Sequence, residues 1–265
     1  MKKLAIVVTH PIQYYIPLFQ LLAKHCDLKV FYTWGEKGAE AKYDPDFKQV
    51  ITWDLPLLAG YTYQFQENTA KDAGSHHFNG IVNPNIIEQI KDFNPNAILV
   101  YGWAYQSHLK ILRKFKRKIP IWFRGDSNLI DMQTGIKSIL RGLSLRWVYK
   151  HVDKAFYVGT ANKNYYLKFG LQENQLFFAP HAIDNDRFAI DRKAEAAALR
   201  LKLNIAIDEI LILFAGKLEP KKDPELLLNA FLKLENEKVH LLFVGNGVLE
   251  ENLKSQISNL TMYIS

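Results

Sequence analysis

Short apolar runs alternate along this chain with longer segments whose apolar positions recur every three or four residues. Residues 4–8, 28–33, 97–101, 120–123, 155–158, 176–178, 210–215 and 240–244 are apolar enough for strands buried on both faces, and a further strand begins at Met262. Between them, residues 84–93, 104–115, 135–150, 161–169, 194–203, 226–234 and 249–257 carry helical spacing, as does the stretch holding Ile16, Leu18, Phe19, Leu21 and Leu22. Residues 35–60 are polar, contain Pro45 and Pro56, and read as a long excursion with one strand near 50–55. Regular strand–helix alternation predicts a mainly parallel, doubly wound α/β sheet. The pattern breaks in the polar passage around 180–188 and restarts at Ile210, so a first domain is expected over 1–183 and a second over 184–265. Two clear strands and the start of a third are little for an independent sheet, and the second domain looks incomplete.

Composition narrows the class. With 265 residues, 48% of them hydrophobic and 13% aromatic, the chain has ample material for a packed core. The lone cysteine, Cys26, excludes an internal disulfide and a cysteine-based zinc site, which fits a reducing compartment. Met1, Lys2 and Lys3 open like a signal peptide, but the five apolar residues that follow meet His10 and Pro11, too short for a signal core. No run approaches the roughly 20 residues of a membrane span. The expected location is the cytoplasm. Net charge is +7, concentrated on Lys110, Arg113, Lys114, Lys116, Arg117 and Lys118 and then on Lys137, Arg141, Arg146 and Lys150. The second set shares its helix with Ile136, Ile139, Leu140, Leu143 and Trp147, so peripheral binding to an anionic membrane surface is a candidate role. No nucleic-acid motif accompanies the charge, and no nucleic-acid partner is expected.

The stretch 211–231, LILFAGKLEPKKDPELLLNAF, concentrates chemistry. A buried strand runs into Gly216, Lys217, Lys221 and Lys222, and Asp223 with Pro224 opens a leucine-rich helix. Ammonium groups and a helix N-terminus at the carboxyl end of a strand form a setting for a diphosphate. The spacing matches neither a Walker loop nor a GxGxxG fingerprint.

Phe214-Ala215-Gly216-Lys217, Lys222, and then Phe243-Val244-Gly245-Asn246-Gly247-Val248-Leu249 resemble glycosyltransferase family 4 in order and spacing. The resemblance implies a GT-B-like fold, an N-terminal doubly wound Rossmann-like domain plus the first part of a second Rossmann-like domain that binds a nucleotide sugar. It assigns Gly216, Lys217, Lys222, Gly245 and Gly247 to the donor. Lys217 stands where the family commonly has arginine, which keeps the charge and loses the bidentate fork. Residues 156–160 and 180–188 look like the family's approach to its interdomain crossing. In the first strand–helix loop the resemblance makes His10 the catalytic candidate and places Gln13 and Tyr14 on the acceptor side. After the strand at 120–123, Arg124 would join the acceptor site, and Asp126 stands where many members carry a histidine. A carboxylate there could orient an acceptor hydroxyl or stabilise oxocarbenium charge. The family's downstream Glu-x7-Glu motif does not occur before Ser265.

These resemblances imply a retaining transferase moving a sugar from a nucleotide-sugar donor, a co-substrate, to a glycan or lipid-linked acceptor in surface polysaccharide synthesis. The resemblance implies no cofactor and no bound metal, and no histidine–aspartate cluster read from the sequence contradicts that. A non-catalytic binding module and a nucleotide-sugar epimerase are the alternatives.

Overall fold

The computed structural model describes residues 1–39, 42–44, 49–51, 55–130, 135–234, 236–257 and 262–264. The chain divides into two compact units, residues 1–40 with 53–184 and residues 41–52 with 185–265. The division after Asp184 lies one residue beyond the expected boundary, and residues 41–52, expected in the first domain, group with the second unit.

The first unit contains β1 (Lys3–Val8), α1 (Ile16–His25) and β2 (Asp27–Tyr32). The short β3 (Lys42–Asp44) and β4 (Gln49–Ile51), which group with the second unit, form an antiparallel pair of their own. The strand expected near 50–55 is therefore this hairpin arm, and residues 52–54 lie outside the described residues. The first unit continues with β5 (Thr62–Phe65), α2 (Ile86–Phe93), β6 (Ala97–Tyr101), α3 (Gln106–Phe115), β7 (Ile121–Arg124), α4 (Ile136–Tyr149), β8 (Lys154–Tyr157), α5 (Thr160–Lys168) and β9 (Leu176–Phe178).

Its seven strands pair in parallel in the order β5-β2-β1-β6-β7-β8-β9. From β1 the chain first builds outward through β2 and β5. It then returns to the other side of β1 and builds through β6 to β9. The switch lies between β1 and β6, registered from Leu4 opposite Ala97 to Val7 opposite Val100.

Strand alternation explains the two-sided core. Ala5, Val7, Phe31, Ile98, Val100, Ile121 and Phe123 face one layer with residues of α2 to α5, whereas Leu4, Ile6, Val8, Val30, Tyr32, Leu99 and Tyr101 face the other with Ile16 and Phe19 of α1. α4 buries Gly142, Leu145, Val148 and Tyr149, and leaves Ile136, Ile139, Leu140, Leu143 and Trp147 exposed on the opposite face. Lys137, Arg141, Arg146 and Lys150 are exposed beside that face, and the Arg113 guanidinium lies 5.3 Å from the Trp147 ring centre. No helix among the described residues is long and apolar enough to cross a membrane.

The second unit continues with α6 (Asn185–Phe188), α7 (Lys193–Lys202), β10 (Ile210–Ala215), α8 (Pro224–Phe231), β11 (Val239–Val244), α9 (Glu250–Ile257) and β12 (Met262–Ile264). β10, β11 and β12 pair in parallel in that order, as a sheet separate from the β3–β4 pair. Leu218, Leu228, Leu241, Phe243, Leu253 and Ile257 form its small core. The cap expected at Asp223 is formed: its side chain accepts from the Leu226 amide at 3.2 Å.

Candidate functional site

Open α/β sheets bind ligands beyond the carboxyl ends of their strands where the winding direction reverses. A cleft of about 300 Å³ lies there in the first unit. Val8 and Thr9 line it at the end of β1, Tyr101 and Gly102 at the end of β6, Arg124, Gly125 and Asp126 at the end of β7, and Val158 after β8. Ile12, Tyr14, Tyr15, Ala104, Tyr105 and His181 complete the wall. Gly102 turns the chain out of β6 at φ +71, a left-handed conformation that favours glycine.

The wall is aromatic with polar tips. Tyr15 and Tyr101 rings lie 4.7 Å apart, and Tyr14 meets His181 edge-on at 6.0 Å. Burial pushes the Tyr101 phenol up to about 12 against the pull of the neighbouring Arg124 charge, and burial likewise raises Tyr15. Both remain O–H donors at neutral pH. Arg124 is itself buried. Its Nη1 and Nη2 donate to the carbonyls of Ala179 and Pro180 at 2.8 and 3.2 Å, which fixes the segment leading to His181. Its Nε, like the Tyr101 hydroxyl, is buried with no hydrogen-bond partner among the described residues. Buried polar groups are normally paired, so two such atoms in one cleft wall mark a place for a polar ligand.

Asp126 sits exposed on a tethered loop. Tyr166 donates to the Gly125 carbonyl at 2.8 Å, and Asn162 donates to that of Ser127 at 2.8 Å while accepting from the Val158 amide. Main-chain anchors on both sides of Asp126 hold its carboxylate at the cleft without using it.

His10 and Gln13 are not among the lining residues. The His10 ring meets Trp34 edge-on at 5.4 Å, its Nδ1 lies 2.9 Å from the Thr9 hydroxyl, and a Cβ added to Gly38 would come within 3.0 Å of the His10 Cβ. Gln13 begins the short helical turn Gln13–Tyr15. Of the five residues expected on this side, Tyr14, Arg124 and Asp126 converge on the cleft.

His108 supports the site from beneath. Its Nδ1 lies 3.1 Å from the carbonyls of both Tyr101 and Gly102, and its Nε2 lies 2.8 Å from the Thr33 hydroxyl. Burial pushes its pKa down to about 4, so the imidazole is neutral, with Nδ1–H donating to the carbonyls and Nε2 accepting from Thr33. Sequence reasoning passed over His108, Tyr15, Tyr101, Gly102 and His181 as site residues. The position immediately after each strand was the available signal for Gly102.

The donor-side candidates occupy two loops of the second unit. The Gly216 amide donates to Val244 and the Leu218 amide to Asn246, each at 2.9 Å, and Leu249 returns a bond to Leu218 at 3.0 Å. This crossing explains two glycines. A Cβ on Gly245, at φ +140, would lie 2.0 Å from the Gly216 oxygen, and one on Gly247 would lie 2.3 Å from the Leu218 oxygen. Gly216 has no such constraint, since its Cβ would meet only the Phe214 ring at 3.8 Å. Lys217 is half-buried, and Lys222 is exposed in the turn Pro220–Lys222. Asp223, the expected cap, places a carboxylate at the start of α8, and Glu225 lies in its first turn.

A histidine–aspartate cluster does exist, contrary to expectation: Asp72, His76 and His77 gather in the first unit, outside the cleft lining.

Fold and cleft define a doubly wound α/β protein with a partly polar cleft at its switch point. Residues 196–262, in the second unit, match the family described as glycosyl transferases group 1. No curated protein is similar enough to the chain to count as a relative. Among solved structures, HepE of Anabaena in complex with UDP is similar at TM-score 0.66 and 14% identity, covering 100% of this chain and 68% of that one. UDP-GlcNAc 2-epimerase of Methanocaldococcus jannaschii is similar at TM-score 0.53 and 19% identity, over 100% and 73% of the two chains. Acinetobacter baumannii MurG is similar at TM-score 0.52 and 12% identity, over 100% and 65%. The chain thus has the GT-B-like α/β fold that its motifs implied.

Proposed function

We propose that the chain acts in a nucleotide-sugar-dependent glycosyltransferase, of the family 4 type, that moves a sugar with retention to a glycan or lipid-linked acceptor in surface polysaccharide synthesis. The observation that carries this reading is the pair of buried, unpartnered donors, Tyr101 Oη and Arg124 Nε, in an aromatic cleft beside the Asp126 carboxylate. Aromatic faces suit the apolar faces of a pyranose, and the donors suit its hydroxyls. Asp126 orients the acceptor hydroxyl or stabilises charge on the sugar. Lys217 and Lys222 offset charge developing on the leaving diphosphate, and HepE, a neighbour in fold, was crystallised with UDP, with UDP and glucose and with UDP-glucose.

The exposed apolar face of α4 supports a peripheral position on an anionic membrane surface, where a lipid-linked acceptor would lie. Similarity to UDP-GlcNAc 2-epimerases makes epimerisation the second reading.

The test is incubation of the purified chain, and of the longest product of its reading frame, with UDP-sugars and lipid-linked acceptors, followed by analysis of released UDP and of sugar products. Transfer supports the proposal, and Asp126→Asn is expected to lower it by roughly a hundredfold. Interconverted UDP-sugar without transfer would replace it by the epimerase reading. Calorimetry on Lys217→Ala and Lys222→Ala should show UDP binding weakened by about 1 to 3 kcal/mol each. Unchanged affinity in both would remove this loop from the donor site.

A further inference from the structure

The loop from Asp72 to Gly80 brings together three side chains that the proposed reaction does not use. His77 Nε2 lies 3.1 Å and His76 Nε2 3.4 Å from the same oxygen, Asp72 Oδ2. The three donor atoms all lie within 4.8 Å of one another, and the two rings meet edge-on at 4.7 Å. In a tetrahedral zinc site with bonds of about 2.0 to 2.1 Å, neighbouring donor atoms stand roughly 3.3 Å apart. Both measured nitrogen–oxygen separations lie close to that edge length.

The loop that carries them is fastened. Gly74 N–H donates to the Gly80 carbonyl at 3.0 Å, Gly80 N–H to His77 at 3.1 Å, and the Asn68 amide to Gly80 at 2.9 Å. The crossing is so close that a Cβ on Gly80 would lie 2.1 Å from the Gly74 oxygen. Tyr105, whose ring lines the cleft, donates its hydroxyl to the Ser75 carbonyl at 3.1 Å. Asp72 and His76 remain exposed and His77 partly so, which leaves further coordination positions open to water.

We infer that Asp72, His76 and His77 form a binding site for a borderline divalent cation, Zn²⁺ first, outside the cleft lining. Two imidazole nitrogens and one carboxylate oxygen match zinc's preference, whereas calcium and magnesium favour all-oxygen shells. The bound ion ties Asp72 to His76 and His77 and fixes the segment hung on Tyr105.

The experiment is calorimetric titration of the full chain with zinc sulfate after chelator treatment, with cobalt absorption as a second readout. The expected result is uptake of one equivalent and cobalt bands typical of nitrogen–oxygen coordination. His76→Ala with His77→Ala should abolish both signals, and Asp72→Asn, which keeps the shape and removes the charge, should weaken binding by roughly tenfold or more. Zinc should also slow tryptic cleavage after Lys71 in the wild-type chain and not in the double variant. Absence of uptake, or equal uptake by the wild type and the double variant, would overturn the site. The double variant removes only side chains at the surface, and its far-ultraviolet dichroism checks that it folds.

Discussion

β1 in the seven-stranded sheet and β10 in the three-stranded sheet are runs of six residues, KLAIVV and ILILFA, that look interchangeable in the sequence. In the fold they differ. β1 lies between β2 and β6 with five of its six residues buried, whereas β10 is an edge strand whose residues are all exposed or only partly buried, Ile210 and Leu213 at 59% each. Apolar content therefore reports what a strand is suited to bury. Neighbours on both edges and both faces decide what it does bury, and stability follows the second quantity.

The comparison is broken most directly by truncation. Phe31→Ala, at a fully buried position, should cost about 3 to 5 kcal/mol in urea unfolding, while Leu213→Ala should cost less than about 1 kcal/mol. Equal losses would mean that the exposed face of β10 is covered in solution, and concentration-dependent sedimentation would then identify a second copy as the cover.

Acid sharpens the contrast from the other side. In the unfolded chain His108 takes its proton near 6.5, but in the folded unit burial holds it neutral down to about 4. The unfolded state therefore binds more protons in that interval. The stability contributed is complete above pH 6.5 and is lost as pH falls toward 4, by roughly 3 kcal/mol. In the second unit the buried His240 instead has the Glu209 carboxylate at 3.1 Å. Glu209 is held below its usual range, first by the Ala206 amide, so its contribution persists until lower pH. Urea midpoints of the two unfolding phases, followed from pH 7 to 4.5, should show the first unit losing more. A His108→Gln variant with an unchanged slope would assign the loss to another group.

Within the second unit, glycines provide the smallest effect. Gly245→Ala forces a side chain against the Gly216 oxygen at positive φ and should cost about 2 to 3 kcal/mol, whereas Gly216→Ala should cost less than about 1 kcal/mol. The two thermal midpoints decide it, and the reverse order would show that the loops cross differently in solution.

Much of the architecture was legible because buried parallel strands need continuous apolar runs. Residues 97–101, 176–178 and 210–215 have the same bounds in sequence pattern and structure, Ala97–Tyr101, Leu176–Phe178 and Ile210–Ala215. Thr62–Phe65 was not read as a strand: TYQF lies at a sheet edge with no buried residue, so no apolar signal marks it. Asp126, Arg124 and Tyr14 were legible as site candidates from motif position. Tyr101 and His181, eighty residues apart, share a wall only through strand order, which local pattern does not encode. Gly245 and Gly247 stood out for a reason the motif did not reveal, since each makes room for another loop's carbonyl. The α4 pattern was read correctly as amphipathic and left open which of its faces the protein keeps.

The buried phenols give the first unit an optical signature. Tyr15, Tyr32, Tyr61, Tyr101, Tyr149 and Tyr166 are all driven upward, chiefly by burial, and Tyr32 and Tyr61 also share a hydrogen bond at 2.6 Å. In an alkaline titration watched at the tyrosinate band, these rings stay dark until the fold itself opens. All six lie in residues 1–184, so a late, cooperative rise in absorbance would time the opening of the seven-stranded sheet alone, without any label. A ligand seated against Tyr101 would delay that rise.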